Sequence, residues 1–436
     1  MTRRILYIAL FALYVTARLL DAQPALAKPR VMDDTQAYLR ISQQPPLDVK
    51  FWGDSRPLVF PLLLKIAAQD FSTAAALQLG FSIVAWTLLG LSVAASLRTR
   101  GLAPFAFGLI LALSLVRPLA GWDFTMLTES LSVSWFVLFL AAGLWLLQSW
   151  RIERVLALIV VGLFLAFTRD TNAYLLLMLA GLLVLAVILR WTEPRTLILS
   201  AAFVGIFLLN NANADLGGRW VFPFLNVMGR RILPNPQAIE FFESNCDLVV
   251  TSDLMALEGE FANGQARAFY NDPDLAEFRS WTYERGKTCY MRWLVSNPIH
   301  SGAQAFEQFG PLVAFSDVDN YFTRFYKPVL PAFIEHILYP DRFILWSFVA
   351  VTAAALIAIL IRAWRGNPLW AAFILLVLPI FPHLFITWHG DAMAPARHAL
   401  SVGLELYLSA WLLVLLISDQ IFLRVGKSSL KKATQD

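Results

Sequence analysis

"MTRRILYIALFALYVTARLLDAQPALAKPRVMDDTQAYLRISQQP", residues 1–45, decides what kind of chain this is. Two readings of its first half compete. A basic start, an apolar stretch and the small-x-small site Ala25-Leu26-Ala27 resemble a secretory signal that is cleaved away. Against cleavage, Arg18 and Asp21 stand between the apolar run and that site. We read the run as a retained first transmembrane helix with Arg3 and Arg4 inside. The second half then emerges on the outer side, with two adjacent carboxylates, Asp33 and Asp34, at the membrane boundary. Tyr38 follows Asp34 by four residues, so the two share a helix face. One aspartate of the pair is expected to cap that helix by accepting backbone hydrogen bonds, leaving the other to point into a cleft. A partly desolvated carboxylate with an arginine beside it suits a general base that takes a proton from a hydroxyl.

Composition sets the environment. Of 436 residues, 58% are hydrophobic and only 15% charged, with a mean hydropathy of +0.61. Soluble domains run near 45–50% apolar and about 25% charged. The sequence therefore describes an integral membrane protein. Apolar runs at 4–20, 72–97, 102–119, 126–149, 153–168, 172–190, 195–211, 343–362, 367–388 and 398–420 predict about ten transmembrane helices, several of them borrowing flanking residues to reach the usual length. Arg98 and Arg100, Arg151 and Arg154, Arg190 and Arg195, and Arg362 and Arg365 fall in alternate short loops. All lie on one side if both termini are cytoplasmic, so the net charge of +4 reads as a topology signal rather than a nucleic-acid footprint. Zinc-finger spacing, a basic-aromatic RNA motif and a phosphate-binding Walker loop are absent from the sequence.

Two segments then face outward, 21–71 and 212–342. Within the first, "SRPLVFPLLLKIAAQ" is apolar but short and broken by proline, which predicts an interfacial helix on the outer leaflet. The second is polar and holds both cysteines, Cys246 and Cys289. Their shared location permits a disulfide outside the cytoplasm, and two free thiols is the other reading. Positive charge also gathers where topology does not ask for it, in Lys28, Arg30, Arg40, Lys50, Arg56 and Lys65, and at the outer ends of spans in Arg117, Arg169 and Arg397. A single such arginine is explained by snorkelling to head groups. A convergent set suits an anionic ligand, because the planar guanidinium matches phosphate.

Acids recur at the same outer ends: Asp123 and Glu129, Asp170 beside Arg169, and Asp391 with His389, Arg397 and His398. Glu405 lies inside the last span, where pairing with an arginine of a neighbouring helix would account for it. Interhelical salt bridges explain each acid as well as a functional site does. The five histidines show no helical pair at metal-ligand spacing, so no metal cage is expected.

The order of short motifs resembles the GT-C superfamily of integral membrane glycosyltransferases, in the branch of aminoarabinose transferases and protein O-mannosyltransferases. "DDTQAYLRIS" is similar to the family's acidic motif after the first span. "SRPLVFPLLLKI" is similar to its proline-rich interfacial helix, "LTESLSVSWFVLFL" to its span opened by an acid, and "RDTNAYLLLMLA" to its span begun by arginine. "ARHALSVGLELYLSAWLL" supplies the arginine at the last span. Together these motifs cover 1–190 and 367–420. Thr171 stands where the family often has proline, and the final span lacks prolines after its arginine.

The resemblance implies a GT-C-like, all-α polytopic fold. A catalytic membrane module at 1–211 would be followed by a mainly helical periplasmic domain at 212–342, then C-terminal spans and a cytoplasmic tail at 343–436. It implies a bacterial inner membrane location with the site facing the periplasm. The reaction implied is inverting transfer of a sugar from a polyprenyl-phosphate carrier to a hydroxyl of an envelope glycan, lipid or protein. Asp34 matches the catalytic aspartate, with Asp33 as the competing candidate. Arg56, Arg169, Arg397 and His398 are the expected phosphate-binding set, with Tyr38, Glu129 and Asp170 in support. No cofactor is expected with a monophosphate carrier, whereas a diphosphate would favour a divalent ion. The rival readings are a transporter or flippase of a lipid-linked or anionic substrate, and a non-enzymatic assembly subunit that uses 212–342 to bind a partner. Against the transporter, no internal repeat is visible and the acids gather at one face.

Overall fold

The computed structural model describes residues 3–20, 22–264, 267–314, 318–339, 342–362 and 367–433; Asp21, Arg365 and the Arg362 side chain lie outside them. Among the described residues there is no β-strand; a single parallel bridge joins Arg30 to Thr125. The chain is a multi-pass membrane protein by helix length and composition. Among the described residues six helical segments are long and apolar enough to cross a bilayer: Phe71–Ser96, Glu129–Gln148, Asp170–Ile188, Pro194–Leu216, Pro368–Gly390 and Leu400–Val425. A seventh is counted if Ala103–Leu113 and Arg117–Phe124, bent by 61°, form one broken span. The break follows from Val116, whose extended backbone stops one helix before Pro118 opens the next in a first-turn position.

Two of the ten apolar runs fall short of that standard for physical reasons, and a third is described only in part. The helix α1 (Arg3–Leu20) carries three arginines. The helix at Ile152–Ala166 has 15 residues, about 22 Å against a hydrocarbon core of about 30 Å. The helix Arg342–Arg362 has 21 residues, and the part of it whose side chains are described, 344–357, is apolar.

Close packing depends on small residues where helices touch. A Cβ on Gly90 would sit 2.9 Å from the Phe107 ring, so glycine allows Phe71–Ser96 to approach Ala103–Leu113. One continuous apolar core runs through the bundle. A second core lies between residues 221 and 294, around Phe224, Phe242, Trp281 and Trp293. There Cys246 and Cys289 form a disulfide that ties helix Pro236–Cys246 to helix Lys287–Ser296. Arg231 pins this region to the membrane bundle by stacking over Trp388, 3.7 Å from the ring centroid, and donating to the Trp388 carbonyl.

The segment between the first two long apolar helices positions the site. Helix α2 (Asp33–Gln43) packs on helix α3 (Val59–Ile66), with Tyr38 edge-on to Phe60 at 5.1 Å. At eight residues, α3 is too short to span and lies against α2 as an interfacial helix would. The expected aspartate cap does not form. Met32 is the N-cap residue, and the Thr35 hydroxyl accepts its N–H at 2.9 Å while donating to the Met126 carbonyl. Both aspartates sit instead in the first turn, where a helix dipole favours negative charge.

Candidate functional site

Asp34 lies where three remote parts of the chain meet. Its Oδ1 accepts from Arg56 at 2.6 Å, and its Oδ2 accepts from both terminal nitrogens of Arg397 at 3.1 Å. Arg56 comes from the loop before α3, and Arg397 from the short helix Pro395–His398 before the last span. Glu129, the first residue of its span, is buried behind them. Its Oε1 is shared by Arg397 Nε at 3.2 Å and Arg169 at 3.1 Å, and its Oε2 is buried without a hydrogen-bond partner among the described residues. The Arg397 guanidinium also lies 5.9 Å from the Tyr321 ring centroid, and that of Arg56 lies 5.8 Å from the Tyr38 ring.

His398 closes the cluster, and its tautomer can be deduced. Arg169 places a terminal nitrogen 2.5 Å from His398 Nδ1. A guanidinium only donates, so Nδ1 is the acceptor and the ring proton sits on Nε2. That nitrogen faces Asp391 at 3.6 Å. Burial, joined by the positive charges of Arg169, Arg397 and Arg56, holds the imidazole well below its ordinary pKa. His398 is therefore neutral at physiological pH. Burial pushes the Asp391 carboxyl up, opposed by hydrogen bonds from the Met393 N–H and Asn226. For Arg397, burial works against the charge, but Glu129 and Asp34 more than compensate, and its pKa is raised. Tyr38 is pushed up, mainly by burial, so its phenol stays protonated.

The other sequence candidates fall into place around this cluster. Asp33 is exposed and forms no ion pair among the described residues. Asp170 points away from the cluster and pairs with Arg219 at 2.9 Å and Asn210 at 3.0 Å. His389 is buried against Tyr290 and the Ser301 carbonyl. Glu405 pairs with a histidine, His383, at 2.6 Å, not with the arginine the sequence suggested. Asp123 is buried in an ion pair with Arg18 and accepts from Ser130.

Sequence reasoning did not single out Arg219, Asn226 or Tyr321. Arg219 follows a span end as Arg117 does, and that signal could have found it. Nothing local marks Asn226, which bridges Asp391 and the Ala262 N–H. Among the described residues no three His, Cys, Asp or Glu side chains gather as metal ligands.

Three guanidinium groups against two carboxylates, Asp34 and Glu129, leave one positive charge before Asp391 is counted. The arrangement can hold an anion beside a carboxylate, and it can hand Asp34 a new partner if that anion takes the arginines. No protein-family model matches the chain, and no curated protein matches it at a significant level.

Proposed function

We propose that the chain is an inverting membrane glycosyltransferase that moves a sugar from a polyprenyl-phosphate carrier to an acceptor hydroxyl on the periplasmic face. The observation that carries this reading is the Asp34 carboxylate held between Arg56 and Arg397, from opposite ends of the chain. Both Asp34 oxygens are engaged by arginine. A donor phosphodiester carries one negative charge, as a carboxylate does, so it can compete with Asp34 for the two guanidinium groups, and the departing phosphate gains a second charge that they can meet. On binding it would draw Arg56 and Arg397 toward itself and release Asp34 to accept the acceptor's proton.

The hydroxyl oxygen then attacks the anomeric carbon as its proton passes to Asp34. The bond to the phosphate oxygen breaks on the opposite face, so configuration inverts. Charge growing on the departing phosphate is met by the arginines, and this speeds the reaction only where they bind the transition state more tightly than the ground state. Glu129 holds Arg169 and Arg397 in place, Tyr38 supports Arg56, and His398 fixes Arg169 from its far side. Asp33 and Asp170 have no part in the step. The reading carries the wider expectations with it: GT-C-like architecture, about ten spans including the shorter apolar helices, both termini cytoplasmic, and a bacterial inner membrane with residues 212–342 outside.

The test is Asp34→Asn, purified and reconstituted with a labelled polyprenyl-phosphate sugar and envelope acceptors. Loss of a general base is expected to slow transfer by about 10²–10⁴-fold, with donor binding retained. A correctly folded Asp34→Asn protein that transfers sugar at the wild-type rate would remove the proposal. Counter-flow uptake by proteoliposomes, with no transfer, would favour the transporter reading.

A further inference from the structure

We infer that the open cleft between the first outer loop and residues 320–328 is a second anion site that takes a phosphate-bearing headgroup. Its volume is about 770 Å³, within the range of roughly 300–1,000 Å³ common to ligand sites. Lys28, Arg30, Arg117 and Arg324 line it, and among the described residues no carboxylate does. Arg117 has a carboxylate behind it, its backbone N–H donating to Glu335 at 2.8 Å. Lys28, Arg30 and Arg324 are exposed and form no ion pair among the described residues.

Two of these cations share one aromatic ring. Lys28 Nζ lies 5.2 Å and Arg324 Cζ 5.0 Å from the centroid of the same Phe325 ring. The ring attracts each cation and anchors both side chains beside the cleft. A neutral donor is also waiting. Tyr326 lines the cleft, and its hydroxyl is buried with no hydrogen-bond partner among the described residues. A buried hydroxyl without a partner is unfavourable, and a bound anion would offer it one.

The cleft shares a wall with the Asp34 cluster. The Arg30 backbone donates to the Phe124 carbonyl and accepts from the Met126 N–H, both at 2.8 Å. The Thr125 hydroxyl donates to the Tyr321 carbonyl at 2.9 Å, and the Tyr321 ring faces Arg397. The Thr323 hydroxyl closes the far side by donating to the Lys28 carbonyl. The site is thus built, and it stands whether or not the chain transfers sugars. A phosphate could reach it as a free ion or on an amphiphile at the outer leaflet.

The full-length protein in neutral, phosphate-free detergent is titrated calorimetrically with dihexanoyl phosphatidic acid, with inorganic phosphate, and with dihexanoyl phosphatidylcholine as the zwitterionic control. Saturable binding of the phosphatidic acid is expected, weakened at least tenfold in a Lys28→Ala/Arg324→Ala double variant of unchanged unfolding midpoint. Should the double variant misfold, Arg30→Gln decides, with a drop of threefold or more. Competition by inorganic phosphate would assign the site to phosphate from either source. Binding of the amphiphile without such competition would assign it to lipid headgroups. Phosphate taken up at the Asp34 cluster would persist in the Lys28→Ala/Arg324→Ala variant, which separates the two sites. Equal binding of the phosphatidylcholine, unchanged binding in the variants, or no binding of either phosphate probe overturns the inference.

Discussion

Glu129→Gln isolates the buried centre of the Asp34 cluster while keeping its shape. Glu129 is buried, and its Oε1 lies 3.1 Å from Arg169 and 3.2 Å from Arg397. At an effective dielectric constant near 20, each such pair carries a gross attraction of about 5 kcal/mol. Glutamine preserves the volume and one acceptor oxygen but removes the charge. Two guanidinium groups then face each other across a neutral amide, with Asp34 as the remaining carboxylate of the cluster's core. Breaking a buried ion pair by removing one partner costs about 3–5 kcal/mol, because the other charge is left without compensation. Equilibrium unfolding of the purified protein in detergent should show a loss of that size. Glu193→Gln provides the contrast: Glu193 pairs with Arg195 at 2.7 Å, yet both side chains are exposed, and such pairs are worth about 0–1 kcal/mol. If Glu129→Gln costs no more than Glu193→Gln, the cluster is not the preassembled electrostatic unit described above.

The remaining predictions use different levers. His398, whose pKa is depressed, is neutral in the folded chain and takes up a proton more readily when unfolded. Its contribution to stability is therefore intact above the unfolded value near 6.5 and is lost progressively as pH falls below it. In His398→Gln this part of the acid-side loss should vanish, and an unchanged pH profile would contradict the neutral tautomer. The disulfide closes a loop of 43 residues, for which chain entropy gives about 4 kcal/mol. Cys289→Ser should accordingly expose 236–296 to protease while the spans stay protected, and equal resistance would show that the outer core holds without it. For Asp34→Asn, a fall in turnover without loss of donor binding is the expected pattern, read from kcat and KM separately.

What the sequence could and could not reveal follows from how far each decision reaches. Membrane insertion is decided locally, by runs of apolar residues and by the loops that flank them, so the helical polytopic architecture was legible. The gathering of Asp34, Arg56, Arg169, Glu129 and Arg397 was legible for a related reason. A bilayer confines outer ends to one thin layer, and ionisable groups in that layer have few partners other than each other. The choice between neighbours was not legible. Adjacent helical residues differ by about 100° in direction, so Asp33 and Asp34 must point apart. Which one enters the cleft depends on the rotation of α2, set by Tyr38 against Phe60, buried Ile41, and Thr35 bonded to Met126. Arg169 and Asp170 repeat the problem at another helix start. Arg169, still extended, turns to Glu129 and His398, while Asp170, already helical, turns to Arg219. Pairings such as His383 with Glu405 or Asn226 with Asp391 join segments 22 and 165 residues apart, and no local pattern encodes them. Packing of apolar side chains thus selects which of two adjacent charges reaches the site. A volume change at Phe60 or Ile41, remote from any charge, should disturb the Asp34 contacts as surely as changing an arginine.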